Sequence, residues 1–306
     1  MKEIILRTEN ITKSYGVQNA VENICIEITR GEIYGLIGLN GAGKTTFMKA
    51  ITGLIGIDNG KIELFASSNE QELRLNRRRI GQIIEYPAIY PSMTAWENVE
   101  YQRILSGVPD GRKSHEVLKT VGLSQTGVKK TKDFSLGMKQ RLGLAMALVN
   151  NPEFLILDEP VNGLDPQGII EFRLFIRKLV DEFGLTVLIS SHLLDELTHL
   201  ATRYGILHKG RLVKQLSSEE LSHESRQYLS IQTNDSSKSL AILQEHFNIR
   251  DFTVSPSNEL HIMEGLLDAG KMNTLLVQNG IEVKGLHIRE QKLEEYFIHL
   301  IQEERQ

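Results

Sequence analysis

What this 306-residue chain has little of narrows it first. A single cysteine, Cys25, excludes an internal disulfide, which suits a reducing compartment. Its neighbours Ile24 and Ile26 read as strand, so Cys25 is expected to fill core. No apolar run approaches the roughly 18–20 residues that a membrane helix needs. The opening residues, Met1 to Arg7, are too short and too interrupted by charge for a signal peptide. The chain is therefore expected to start and stay in the cytoplasm, with any membrane role supplied by a partner. A basic excess is missing too: 35 Lys and Arg against 39 Asp and Glu leave a formal net charge of −4, which argues against a general nucleic-acid binder. The cluster Arg77, Arg78 and Arg79 reads as a solvated helix face. No internal repeat or low-complexity tract is visible. What remains is a globular composition, with room for one large domain and a smaller one or for two ordinary ones.

What is present alternates between two textures. Leu6 to Val17 and Gly31 to Gly38 read as strands broken by turns, and Ile33 to Gly38 is an apolar run of the kind buried on both faces. Lys44 to Gly53 reads as a helix closed by glycine. Residues 92–150 read as mostly helical, punctuated at Gly107, Pro109, Gly111 and Gly122. Phe154 to Leu157 is a second buried strand, Ile169 to Phe183 has helical spacing, and Thr186 to Ser190 is a third strand. Strands alternating with helices predict a parallel α/β sheet. A polar junction follows at Ser217 to Ser222. Beyond it come a strand at Tyr228 to Gln232, a helix at Leu240 to Phe247 and strands at Phe252 to Val254 and Leu260 to Met263. A helix at Leu266 to Val277, a strand at Ile281 to His287 and a helix at Leu293 to Ile301 complete a small α+β domain.

Gly38-Leu39-Asn40-Gly41-Ala42-Gly43-Lys44-Thr45, followed by Thr46, fits the phosphate-binding P-loop. Its glycines let backbone N–H groups turn inward around the phosphates of ATP. Lys44 reaches the β and γ oxygens, the Thr45 hydroxyl is a Mg²⁺ ligand, and the following helix aims its positive end at the anion. Phe154 to Leu157 ends in Asp158 and Glu159. Successive strand side chains point to opposite sides, so Asp158 can face Mg²⁺ while Glu159 faces an attacking water. Alone, that pair would be an ordinary capped strand; the P-loop gives it meaning. Ser135 precedes the run Leu142 to Val149 and is placed as a helix N-cap, a sufficient structural reason for a serine there. His192 ends the third strand, where it could reach a γ-phosphate.

With these motifs in order, the sequence resembles the ABC-transporter ATPases over most of residues 1–216. The resemblance implies a P-loop NTPase core with a mostly parallel sheet, an inserted helical subdomain at about 86–150, and a separate α+β domain over 217–306. The family signature Leu-Ser-Gly-Gly-Gln appears as Phe134-Ser135-Leu136-Gly137-Met138, keeping Ser135 and Gly137. By the same resemblance Tyr15 stacks on adenine, Asp165 of Gly163-Leu164-Asp165 lies in the loop that crosses a dimer interface, and His192 is the switch histidine. Two ATP-binding subunits, identical or not, are implied to clamp each ATP between the P-loop of one and Ser135 and Gly137 of the other. A separate transmembrane permease is implied as well, docking near Glu85 to Trp96 on the cytoplasmic face.

One departure stands out. Where the family usually carries glutamine at the hinge to the helical subdomain, this chain has Glu85, a negative charge beside a divalent cation. Carboxylate and amide share one shape, so the change alone leaves near-equivalence open. Together with Tyr86 to Pro91 and the tail Leu293 to Leu300, Glu85 looks like the subgroup tied to bacitracin export and lantibiotic immunity. Other exporter types remain the alternative. A small-molecule kinase would share the P-loop but has no use for Ser135, Gly137 or His192. A soluble ABC ATPase would usually carry two cassettes or a coiled coil, and a purely regulatory module would not need Glu159.

Overall fold

The computed structural model describes residues 3–224, 227–255, 257–264 and 268–290. The chain divides into two compact units, Met1–Ser218 and Glu219–Gln306. The first runs β1 (Ile4–Tyr15), β2 (Gln18–Ile24), β3 (Glu27–Thr29), β4 (Ile33–Ile37), α1 (Lys44–Thr52), β5 (Asn59–Leu64), α2 (Glu70–Asn76) and β6 (Ile80–Ile83). Then come α3 (Ala95–Leu105), α4 (Arg112–Thr120), α5 (Leu136–Leu148), β7 (Phe154–Leu157), α6 (Pro166–Phe183), β8 (Thr186–Ser191), α7 (Leu194–Thr198), β9 (Arg203–His208) and β10 (Arg211–Ser217). After α8 (Ser218–Glu224) the order is β11 (Gln227–Thr233), α9 (Ser236–Phe247), β12 (Phe252–Val254), β13 (Leu260–Ile262), α10 (Ala269–Gln278) and β14 (Val283–Glu290).

The central sheet has the order β10-β9-β4-β8-β7-β6, parallel from β9 to β6, with β10 antiparallel at one edge. Every residue of β4, β7 and β8 is buried, which is why those runs are apolar without alternation. Phe154 and Ile156 of β7 share one core cluster with Phe47 and Met48 of α1 and Leu188 of β8. Each such side chain contributes about 1.5–3 kcal/mol by burial, so the strand ends are rigid. Because β4, β6, β7 and β8 are parallel, their C-terminal ends meet at one edge, where open α/β sheets hold ligands. A second, antiparallel sheet pairs β1 with β2, β3 and β5.

Residues between β6 and β7 carry α3, α4 and α5. A capping box starts α3: Thr94 Oγ1 accepts from Glu97 N–H at 3.2 Å, and Glu97 Oε2 accepts from Thr94 N–H at 2.6 Å. Glu100 of α3 takes the Arg103 guanidinium at 2.6 and 2.9 Å and the Ser114 hydroxyl of α4 at 2.7 Å, tying the two helices.

The second unit is an antiparallel sheet, β12-β13-β11-β14, in a β-α-β-β-α-β order of ferredoxin-like type. Leu229, Ile231, Leu260 and Ile262 of the sheet meet Leu243 of α9 and Met272 and Leu276 of α10 in its core. The expected helix at Leu293 to Ile301, and Leu266 at the start of the expected helix before it, lie outside the described residues.

Several expectations need correction. Cys25 is exposed between two strands, its sulfur accepting from Asn10 N–H at 3.2 Å, and fills no core. The arginine run is not simply solvated. Arg77 donates to Ile51 O, while Arg79 pairs with Glu153 at 2.7 Å and lies 3.6 Å over the Phe65 ring. The helix expected from Ile169 begins at Pro166, because Asp165 is its N-cap and proline suits the first turn.

Candidate functional site

The loop between β4 and α1 follows the geometry that its glycines require. Gly43 has φ +104°, and a Cβ there would sit 2.4 Å from Ala20 O, so a side chain is excluded twice over. Helix α1 starts at Lys44, leaving the free N–H groups of its first turn at the loop. Lys44, only 4% exposed, donates to Gly38 O at 2.5 Å and lies 3.0 Å from Glu159 Oε1. A buried ammonium held by a loop carbonyl and one carboxylate is poised to take a phosphate oxygen instead.

The neighbouring strand ends complete the group. Thr45 Oγ1 donates to Asp158 Oδ2 at 2.7 Å, setting two hard oxygens side by side, a donor pair that suits Mg²⁺ shared with phosphates. Ser190 at the end of β8 donates to Asp158 Oδ1 at 2.7 Å and accepts from Glu159 N–H at 2.9 Å. Glu159 sits in the left-handed backbone region at φ +46°, an outlier of the kind that clusters at functional sites. Its Oε2 is 3.0 Å from His192 Nδ1. Lys44, Thr45, Asp158, Glu159 and His192 are thus brought together. Ser190 belongs with them, and its role is the one that the sequence reading passed over.

Tyr15 ends β1 and is 56% exposed. The strand beneath it is held by Asp58, which accepts from Lys13 Nζ and from Ser14 N–H, each at 2.7 Å. The Lys13 ammonium, helped by that N–H, keeps the Asp58 carboxyl below the usual carboxylate range.

Ser135, Gly137 and Asp165 assemble elsewhere. Ser135 caps α5 by accepting from Met138 N–H at 3.3 Å, and Asp165 caps α6 by accepting from Gly168 N–H at 3.1 Å. The two helix starts line one open cleft of about 1010 Å³, together with Leu136 and Leu164. At Gly163, φ +78°, a Cβ would lie 2.8 Å from Leu136 Cδ2. Among the described residues, no hydrogen bond or ion pair links this group to the P-loop group. Glu85 also stands apart from the Thr45–Asp158 pair: its Oε1 accepts from Lys49 Nζ at 2.6 Å. Lys49 was legible only as one residue of a helix, four positions after Thr45.

The comparisons match this geometry. The ABC transporter family model matches residues 21–162. The bacitracin transport ATP-binding protein BcrA of Bacillus licheniformis is 41% identical over 297 residues, 97% of each chain. The lantibiotic transport ATP-binding protein SrtF of Streptococcus pyogenes is 43% identical over 209 residues, 68% of this chain and 89% of that one. Among solved structures, the ATP-binding cassette MJ0796, a dimer in a post-hydrolysis state with ADP and Pi, superposes with a TM-score of 0.63 and 26% identity. It covers 70% of this chain and 99% of its own.

Proposed function

The chain belongs to the ATP-binding subunits of ABC transporters, which hydrolyse ATP coupled to transport, and from that premise we propose that it powers export of a peptide antibiotic through a separate membrane-spanning subunit. The observation that carries the substrate class is the end-to-end similarity to a bacitracin transport protein, which includes the second unit as well as the ATPase. No helix among the described residues is long and apolar enough to cross a membrane, which is consistent with a path supplied by a separate subunit.

Each residue takes a role that its position supports. Gly38 to Thr46 would cradle the phosphates, and Lys44 would exchange Glu159 for a phosphate oxygen. Thr45 and Asp158 would hold Mg²⁺, which supplies charge neutralisation when bound. Freed from Lys44, Glu159 would orient and polarise a water, with His192 keeping its carboxylate in place. Ser135 and Gly137 on one copy, and Asp165 beside them, would close over the nucleotide of a second ATP-binding subunit, identical or not. Binding at the cytoplasmic face is proposed through the surface around Glu85 to Trp96, where Tyr86 and Trp96 lie exposed.

The test is resistance. Cells carrying this chain with its membrane partner should tolerate bacitracin or a lantibiotic, and Lys44→Ala should remove that tolerance at unchanged protein level. Full sensitivity with the intact pair, alongside normal ATP hydrolysis, would overturn the substrate class and leave the ATPase standing.

A further inference from the structure

Glu85 sits where the core hands the chain to the α3–α5 segment, and what holds it there is specific. Ile83 ends β6 in register with Leu157 of β7, and Asp158 N–H donates to Ile83 O at 2.8 Å. The start of the hinge and the Asp158 strand end are therefore fixed side by side. Two residues on, Glu85 turns back in the left-handed region, φ +64°, which a residue with a Cβ rarely adopts unless its surroundings hold it. The described partner of its side chain is Lys49, at 2.6 Å. Lys49 lies four residues after Thr45 on α1, on the same helix face and about 6 Å further along the axis. The Glu85 carboxylate is thus held by a residue whose backbone lies one helical turn along α1 from Thr45, the partner of Asp158.

We propose that Lys49 is a positioning residue that holds Glu85, and with it the entry to the helical segment, on the P-loop helix until a divalent cation competes for the carboxylate. The inference rests on the nucleotide-site reading above and adds to it a residue to which no role has been given. An amide at position 85 would still hydrogen-bond Lys49 but would not hold it as an ion pair, so the device belongs to the carboxylate. Lys49 is 28% exposed and Glu85 57%, so the pair is partly solvated and its effect is modest. That suits a contact made to be exchanged.

The experiment is a Mg²⁺ titration of fluorescent ATP-analogue binding to the full chain and to Lys49→Gln, Lys49→Arg, Glu85→Gln and the Lys49→Gln/Glu85→Gln double variant. Freed of its ammonium, the carboxylate should meet Mg²⁺ more readily, lowering the midpoint in Lys49→Gln by about two- to fivefold, the range of a partly solvated ion pair. Lys49→Arg should restore the original midpoint, and in the Glu85→Gln background Lys49→Gln should shift nothing. Lys49→Met, of similar length, serves if the glutamine variant fails to fold. An unmoved midpoint, or an equal shift with and without Glu85, overturns the proposal while leaving the ATPase reading intact. Loss of all Mg²⁺-dependent nucleotide binding by the unaltered chain would instead remove that reading, and the positioning role with it.

Discussion

At the scale of single residues, Glu159 and Ser135 make opposite kinds of prediction. Glu159 is the carboxylate that both Lys44 and His192 touch, so Glu159→Gln should keep ATP binding while slowing hydrolysis by roughly 10²–10⁴-fold. An ATP-bound dimer should then accumulate on size-exclusion chromatography, and wild-type turnover would remove Glu159 from the mechanism. Ser135 has a structural duty that could account for it entirely, its cap on α5. Ser135→Ala should cost about 0.5–2 kcal/mol of stability through the lost cap, whereas Ser135→Asn should keep the cap. If Ser135 also serves a neighbour's nucleotide, both variants should lose ATP-driven dimerisation while only alanine lowers the melting temperature. Normal dimerisation of the asparagine variant would reduce Ser135 to its cap.

At the scale of elements, α3 and α4 make the segment between β6 and β7 acid-sensitive. The Arg103 guanidinium, with the Ser114 hydroxyl, holds the Glu100 carboxyl down to about 2, against about 4.3 in an unfolded chain. A folded value below the unfolded one means the stabilisation is fully present above about pH 4.3 and drains away as pH falls toward 2. Glu100→Gln should therefore flatten that part of the pH dependence of denaturant unfolding, and an unchanged profile between pH 5 and 2 would show that Glu100 carries none of it. The same scale shows what a sequence can display. β7 and β12 occupy the residues marked in the sequence, β7 because a short buried run is its own signal, β12 although two of its three residues are exposed. β5, β6, β9 and β10 escaped. β5 reads Asn-Gly-Lys-Ile-Glu-Leu with its first half exposed, so its pattern is half missing. β9 and β10 join through Lys209 and Gly210, both at positive φ, a hairpin turn usually advertised by Asn-Gly or Asp-Gly and here built on lysine. The P-loop was legible because its chemistry lies within nine consecutive residues. Ser190 on Asp158 and Lys49 on Glu85 are contacts across 32 and 36 positions that only folding creates.

At the scale of the whole molecule, every nucleotide-site residue lies within Met1–Ser218. A chain cut after Ser218 should keep one cooperative unfolding transition and ATP binding within about threefold of the full chain, since a difference under 1 kcal/mol is expected when no site residue is removed. Loss of the cooperative transition would mean that the two units share a core. The second unit has a property of its own, set by its strand order. β11 and β14 are antiparallel neighbours, with Gln227 opposite Glu290, so the chain enters and leaves the sheet at the same end of one strand pair. A pull applied between those two positions would load the hydrogen bonds one after another, like a zipper, rather than all at once in shear. This unit should therefore open at low force from its own ends, and would resist far more if the handles were moved to Gln227 and Val283, at opposite ends of the pair.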